Sequence, residues 1–97
     1  MPSYLSLINY TDQGIRAVKD SPQRLDAAKE VISAAGGRLI FYYLLMGQYD
    51  IATLIEFPDD DAAARFVLQI GAMGNIRTQT MRAFTEAEAR ALIGNLP

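Results

Sequence analysis

The chain has 97 residues and a mass of 10.7 kDa, 51% apolar and 21% charged, which suits one globular domain rather than two domains or a disordered chain. It has no Cys and no His, which excludes a disulfide framework, a thiolate nucleophile, Cys-based metal sites and the commonest general base. Nine Lys and Arg against eleven Asp and Glu give a formal charge of -2 and a pI near 4.9, so nucleic acid is not the expected partner.

Tyr4 to Tyr10 is short and aromatic-rich and ends before Thr11-Asp12-Gln13-Gly14, which predicts a strand and then a turn or helix start. Asp12 to Lys19 fits a separate short helix. Ser21-Pro22 is read as an N-cap followed by Pro at the first helical position. Leu25, Ala28, Ile32 and Ala35 then recur at helical spacing until Gly36-Gly37. Arg38 to Met46 is the second predicted strand. Gly47-Gln48 reads as a two-residue hairpin loop of type II′, and Tyr49 to Phe57 as the third strand. After Pro58, Asp59-Asp60-Asp61 opens a helix with Ala63, Phe66, Ile70 and Met73 on one face. Asn75 to Phe84 is the fourth strand. Thr85-Glu86-Ala87-Glu88 is a capping box that starts a short C-terminal helix.

The order strand, helix, strand, strand, helix, strand is that of the α+β ferredoxin-like βαββαβ motif with an antiparallel four-stranded sheet. Right-handed crossovers place the first strand between the third and the fourth. The strands are apolar on both faces. In the second, Ile40, Tyr42 and Leu44 are expected on one face and Leu39, Phe41, Tyr43 and Leu45 on the other. In the third, Ile51, Ile55 and Phe57 oppose Ala52 and Leu54. Two helices cover one face, and soluble monomers avoid leaving the other bare. The expectation is a homodimer or higher homo-oligomer joined through the sheet face, closed most simply by a C2 axis.

Met1 to Tyr4 has no basic leader, and the longest apolar run, Leu39 to Met46, is too short to span a bilayer. The reading is a cytoplasmic chain with no membrane partner. Asp59-Asp60-Asp61 suits capping and dipole complementation better than a metal site. Phe41, Tyr42 and Tyr43 suit core or interface better than a stacking platform. Met46, Met73 and Met81 read as adaptable fillers. Thr78 and Thr80 share a strand face and suit β-structure.

Met46-Gly47-Gln48-Tyr49-Asp50-Ile51 resembles the Gly-x-Tyr-Asp signature of the GYD-domain family. Asn9 to Ile15, Lys19 to Arg24 and Gly74 to Thr80 also resemble recurring segments of that family, so the likeness covers nearly the whole chain. It implies one dimeric α+β barrel domain over residues 1–97. The wider barrel superfamily includes haem-degrading and quinone-forming monooxygenases, cyclases, isomerases and stress proteins. With no His, a His-ligated haem is disfavoured and a Tyr ligand stays open. No cofactor and no metal are expected.

The topology also points to a site. The end of the first strand meets the starts of the third and fourth, which gathers Asn9, Tyr10, Thr11, Gln48, Tyr49, Asp50, Asn75 and Arg77 on one edge. Tyr49, Asp50 and Arg77 are the candidate catalytic residues. Tyr49 would donate a hydrogen bond, Asp50 would act as base and Arg77 would hold a carboxylate or enolate oxygen. Asn9, Tyr10, Thr11, Gln48 and Asn75 are the candidate ligand contacts. Equally, Asp50 and Arg77 could be a structural ion pair, or Asp50 could cap backbone N–H groups. Two functions follow. One is a domain binding a small apolar or aromatic metabolite, at this edge or in the cleft between helices and sheet, as a cofactor-independent enzyme of the monooxygenase, cyclase or isomerase kind. The other is a non-catalytic oligomeric interaction or regulatory module.

Overall fold

A computed structural model describes residues 1–97. The first strand, β1 (Ser3–Tyr10), runs between β3 (Ile51–Glu56) and β4 (Ile76–Ala83), antiparallel to both. With β2 (Arg38–Leu44) outside β3, the sheet order is β2-β3-β1-β4. This is the α+β ferredoxin-like arrangement expected from the element order. No helix is long and apolar enough to cross a membrane.

Helix α1 (Asp12–Arg16) is followed by a 3₁₀ turn at Val18–Asp20, where one short helix was expected, and then by α2 (Ser21–Ala34). Thr11 caps α1 by accepting the Gly14 N–H at 3.0 Å. Gly14 itself lies against β4. A Cβ at this position would sit 1.9 Å from the Asn75 carbonyl oxygen, so no side chain fits without moving the backbone. Ser21 does not cap α2. Its hydroxyl is paired with Tyr10 Oη at 2.9 Å, and no side chain caps that helix start. Pro22 supplies the first-turn preference alone.

The helix α3 (Asp60–Ala72) follows β3, and its start is capped by Asp59, whose carboxylate accepts the Ala62 N–H at 2.8 Å. Helices α2 and α3 lie on one face of the sheet. There Tyr4, Ile55, Phe57, Phe66, Ala62, Ala63 and Ile32 form the core, flanked by Ala28, Val31, Leu39 and Ile70. Phe57, at 1% exposure, is its centre, with ring centroids 6.0 Å from Tyr4 and 5.4 Å from Phe66. The capping box expected at Thr85 and Glu88 is present and starts α4 (Glu86–Gly94). That helix buries none of its residues and leaves Leu92 and Ile93 exposed.

Two further local expectations are corrected. The hairpin between β2 and β3 is not a two-residue loop. β2 stops at Leu44 and β3 starts at Ile51, and the six residues between are closed by a 2.7 Å bond from Leu45 N–H to the Asp50 carbonyl. Asp50 also bonds to β1 through its carboxylate and its N–H, and the Tyr49 hydroxyl bonds to Gln79 of β4. Gly47 sits in this loop at φ 143°, a value that favours glycine. The second correction concerns the faces of β2. Its register shifts at Ile40, between Leu39 and Phe41. One extra residue reverses the parity on either side of it. Leu39 therefore joins Tyr42 and Leu44 on the helix side, opposite Ile55, Thr53 and Ile51. Phe41 and Tyr43 stay on the open side.

Candidate functional site

The edge foreseen from the topology does assemble. Asn9 Nδ2 donates to the Gln48 carbonyl at 2.9 Å. Tyr10 N–H donates to Asp50 Oδ2 at 2.9 Å, while Asp50 N–H donates to the Ile8 carbonyl at 2.9 Å. Thr11 Oγ1 donates to the Gly74 carbonyl at 2.6 Å, and Thr11 N–H to the Asn75 carbonyl at 3.1 Å. Gln13 Nε2 spans Asn75 Oδ1 at 3.0 Å and the Met73 carbonyl at 3.1 Å. Tyr49 Oη donates to Gln79 Oε1 at 2.9 Å.

These residues share an edge but not a face. Asn9 is opposite Arg77 in register, and Tyr10 is opposite Ile76. Because side chains alternate along a strand, Asn9 and Arg77 lie on the open side of the sheet, and Tyr10 lies on the helix side. Asp50 makes no ion pair with Arg77; the two ion pairs of the molecule are Arg38–Glu56 at 2.9 Å and Arg90–Glu86 at 2.7 Å. Asp50 instead satisfies a backbone N–H, one of the alternatives left open by the sequence. The acidic run is likewise engaged: Asp59 caps α3 and Asp60 accepts the Tyr4 hydroxyl. Burial first, and then the bond to Asp60 and its charge, push the Tyr4 phenol up to about 12.

A second location was foreseen only as a cleft. Between α2, α3 and the sheet is a cavity of about 530 Å³, within the usual range for small-molecule sites. Ile8, Ile51, Ile55, Val31, Phe66 and Ile70 are among its apolar walls. On the helix side of the sheet one row of hydroxyls crosses all four strands in register, Tyr42 opposite Thr53, Thr53 opposite Ser6 and Ser6 opposite Thr80, and the first three of these residues line the cavity. Ser6 and Thr80 bond to each other at 2.8 Å, and Thr80 donates to Thr78 at 3.3 Å. Thr53, at 5% exposure, has no hydrogen-bond partner. Where α2 begins, Tyr10 and Ser21 bond to each other, and the Tyr42 phenol is raised by burial and by Tyr10 beside it. Arg24 also lines this end, held by the Ala17 and Gly14 carbonyls at 3.2 and 3.4 Å.

None of Thr53, Ser6, Tyr42, Ser21 and Arg24 was read from the sequence as a site residue. A signal was there. Ser6 interrupts the inward series Tyr4-x-Ser6-x-Ile8, and Thr53 interrupts Ile51-x-Thr53-x-Ile55. Polar residues with buried parity in two neighbouring strands mark a polar spot in an apolar floor.

The opposite face of the sheet is bare. Leu5, Leu7, Leu54, Ala52 and Phe41 are half-buried there, and Tyr43 is 61% exposed. Polar residues surround them: the Arg38–Glu56 pair, Asn9, Arg77 and the Tyr49–Gln79 pair.

Fold and surfaces together define a small α+β domain of ferredoxin-like build, with a half-open cleft under the helices on one side of its sheet and an apolar face on the other. The GYD-domain model matches residues 4–93, and the chain belongs to the GYD-domain family. A Thermus thermophilus relative, named glutamine synthetase and cystathionine beta-lyase binding protein, is 28% identical over 89 residues, 91% of this chain and 94% of that protein. Among solved structures, FFRP-DM1 matches with a TM-score of 0.62 at 23% identity, over 87% of this chain and 100% of that one. MtbAldR matches with a TM-score of 0.68 at 13% identity over 88% of this chain. The chain spans about half the length of MtbAldR, 52%. At these identities the two structures speak for the fold.

Proposed function

We propose that this protein is a non-catalytic regulatory module that assembles as a homodimer through its open sheet face and acts by binding other proteins. The observation that carries this reading is the open face itself. It has an apolar centre of Leu5, Leu7, Leu54 and Phe41, with Tyr43 beside them and a polar rim. Interfaces have that anatomy, and monomers rarely leave such a patch in water. The name of the Thermus relative supports a protein-binding role.

A cofactor-independent enzyme at the Tyr49, Asp50 and Arg77 edge is the weaker reading. Asp50 Oδ2 already accepts a backbone N–H, Tyr49 is bonded to Gln79, and no ion pair joins Asp50 to Arg77. A base, a donor and an oxyanion holder must instead converge on one reacting atom.

Sedimentation velocity of wild type and Leu54→Arg tests the proposal, alone and mixed with glutamine synthetase or cystathionine beta-lyase, the two enzymes in the relative's name. The expected result is a wild-type dimer that co-sediments with an enzyme, and a folded Leu54→Arg monomer. A wild-type monomer at tens-of-micromolar concentration would overturn the assembly. A dimer that co-sediments with neither enzyme would count against these partners.

A further inference from the structure

We infer that the C-terminal helix α4 is an exchanged arm: it docks in the groove between α2 and the outer edge of β2 on a second copy of this chain. The inference rests on the homodimer proposed above and adds a contact that the open sheet face does not contain.

The helix is uncovered in its own chain, where it buries none of its nine residues. Ala89, Leu92, Ile93 and Leu96 recur at i, i+3, i+4 and i+7, one apolar stripe along the helix and the turn after it. Leu92, Ile93 and Leu96 are 54%, 66% and 68% exposed. The capping box sets where the helix starts. A helix this short is marginal in water, however, and takes its stability from what covers its apolar face.

The groove offers a matching surface. Its volume is about 510 Å³, and Leu39, Ile40 and Phe41 are among its apolar walls. It follows β2, an edge strand of the sheet, and proteins commonly cover such an edge with a helix or loop. Phe41 belongs to the open sheet face as well, so the groove continues that face around the edge. Charge agrees with the pairing. The only charged residues of the groove are Lys29 and Arg38, whereas α4 has Glu86 and Glu88 against a single Arg90.

The topology makes the source of the helix a second copy. Within one chain, α4 leaves β4 and the groove flanks β2, so the two are on opposite edges of the sheet, about 14 Å apart across three strand spacings. Both are nevertheless at the same end: Arg38, Glu56, Ser3 and Ala83 form one row across the sheet. When two such sheets face each other about a twofold axis running along the strands, β4 of one copy lies over β2 of the other, and that row keeps its end. The chain after Ala83 then emerges at the partner's groove, and the same contact forms twice. Area points the same way. Four strands of about seven residues give a sheet face of roughly 450 Å², small beside the about 800 Å² per partner of a standard interface. A seated arm enlarges the contact in both copies at once.

The chain has no Cys, so introduced thiols report alone. Ser33→Cys places one in the groove and Leu92→Cys one on the arm. The two variants are co-expressed, with a tag on one, and treated with a short bismaleimide. The expected product is a covalent heterodimer, formed much faster than a homodimer of either variant alone. In sedimentation velocity, the double variant Leu92→Asp, Ile93→Asp changes no buried residue and should weaken the dimer at least about tenfold. Three results would overturn the inference: no covalent heterodimer, a Leu92→Cys homodimer that forms as fast, or unchanged dimer affinity in the double variant. If those results accompany a wild-type dimer that Leu54→Arg breaks, the arm alone fails. A wild-type monomer would remove the sheet-face dimer and the arm with it.

Discussion

The layer between helices and sheet is solid at one end and hollow at the other. Around Phe57, aromatic rings meet at centroid distances of 5.4 and 6.0 Å and almost nothing is exposed. Around Thr53, the same two helices face the same sheet across about 530 Å³. One topology supports both because the strands change character along their length: Tyr4 and Ile55 pair at one end, Ser6 and Thr53 two residues further in. The difference locates the anchoring of the fold at the Phe57 end and leaves open space at the other.

Substitutions can break that comparison, beginning with the largest expected effect. Phe57→Ala removes the best-buried ring of the solid end and should cost about 3–5 kcal/mol in chemical denaturation. A loss below about 1 kcal/mol would mean that the solid end does not anchor the fold. At the other end of β1 the chain is tied by hydrogen bonds instead of by rings. Asp50→Ala leaves the half-buried Tyr10 N–H unpaired while keeping the backbone bond that closes the hairpin, for an expected loss of about 1–3 kcal/mol. If Asp50 were a catalytic base without a structural role, the same variant would fold with unchanged stability. The smallest effect is confined to alkaline pH. The folded state holds the Tyr4 phenol at about 12, against 10.0 for an ordinary tyrosine. The protonated phenol therefore contributes stability that is complete below pH 10 and lost as pH rises towards 12, because the unfolded chain releases that proton first. Thermal melts of wild type should fall across this window, and Tyr4→Phe should fall less steeply. Identical slopes would show that burial and the bond to Asp60 do not hold the Tyr4 proton.

Much of this architecture is legible in the sequence. The alternation of Tyr4, Ser6 and Ile8 with Leu5, Leu7 and Asn9 sets the faces of β1, and the element order sets the topology. The capping box at Thr85 and Glu88 marks the start of α4. What is not legible follows from contacts distant in the chain. The Gly47 loop looked like a tight hairpin because local turn preference favours one, yet Asp50 is drawn away by Tyr10, forty residues earlier. The reversal of parity at Ile40 has no glycine or proline to announce it. Ser21 has the composition of a cap, but its hydroxyl is claimed by Tyr10. At the candidate site, the sequence brought Asn9, Tyr10, Asp50 and Arg77 to one edge and could not show that Asn9 and Tyr10 point to opposite faces. The unpaired hydroxyl of Thr53 became visible only once β1 and β3 were in register.

Gly14 gives the cavity a caliper. It does not line the cavity, but its missing side chain lets α1 rest directly on the Asn75 carbonyl. Its own carbonyl, with that of Ala17, holds the guanidinium of Arg24 where α2 begins. The place of Arg24 at one end of the cavity is thus tied to how closely two backbones approach. Any methyl group at position 14 would force them apart and carry the carbonyl that holds Arg24 with it, so the position of a cavity-lining side chain is written at a residue that does not line the cavity.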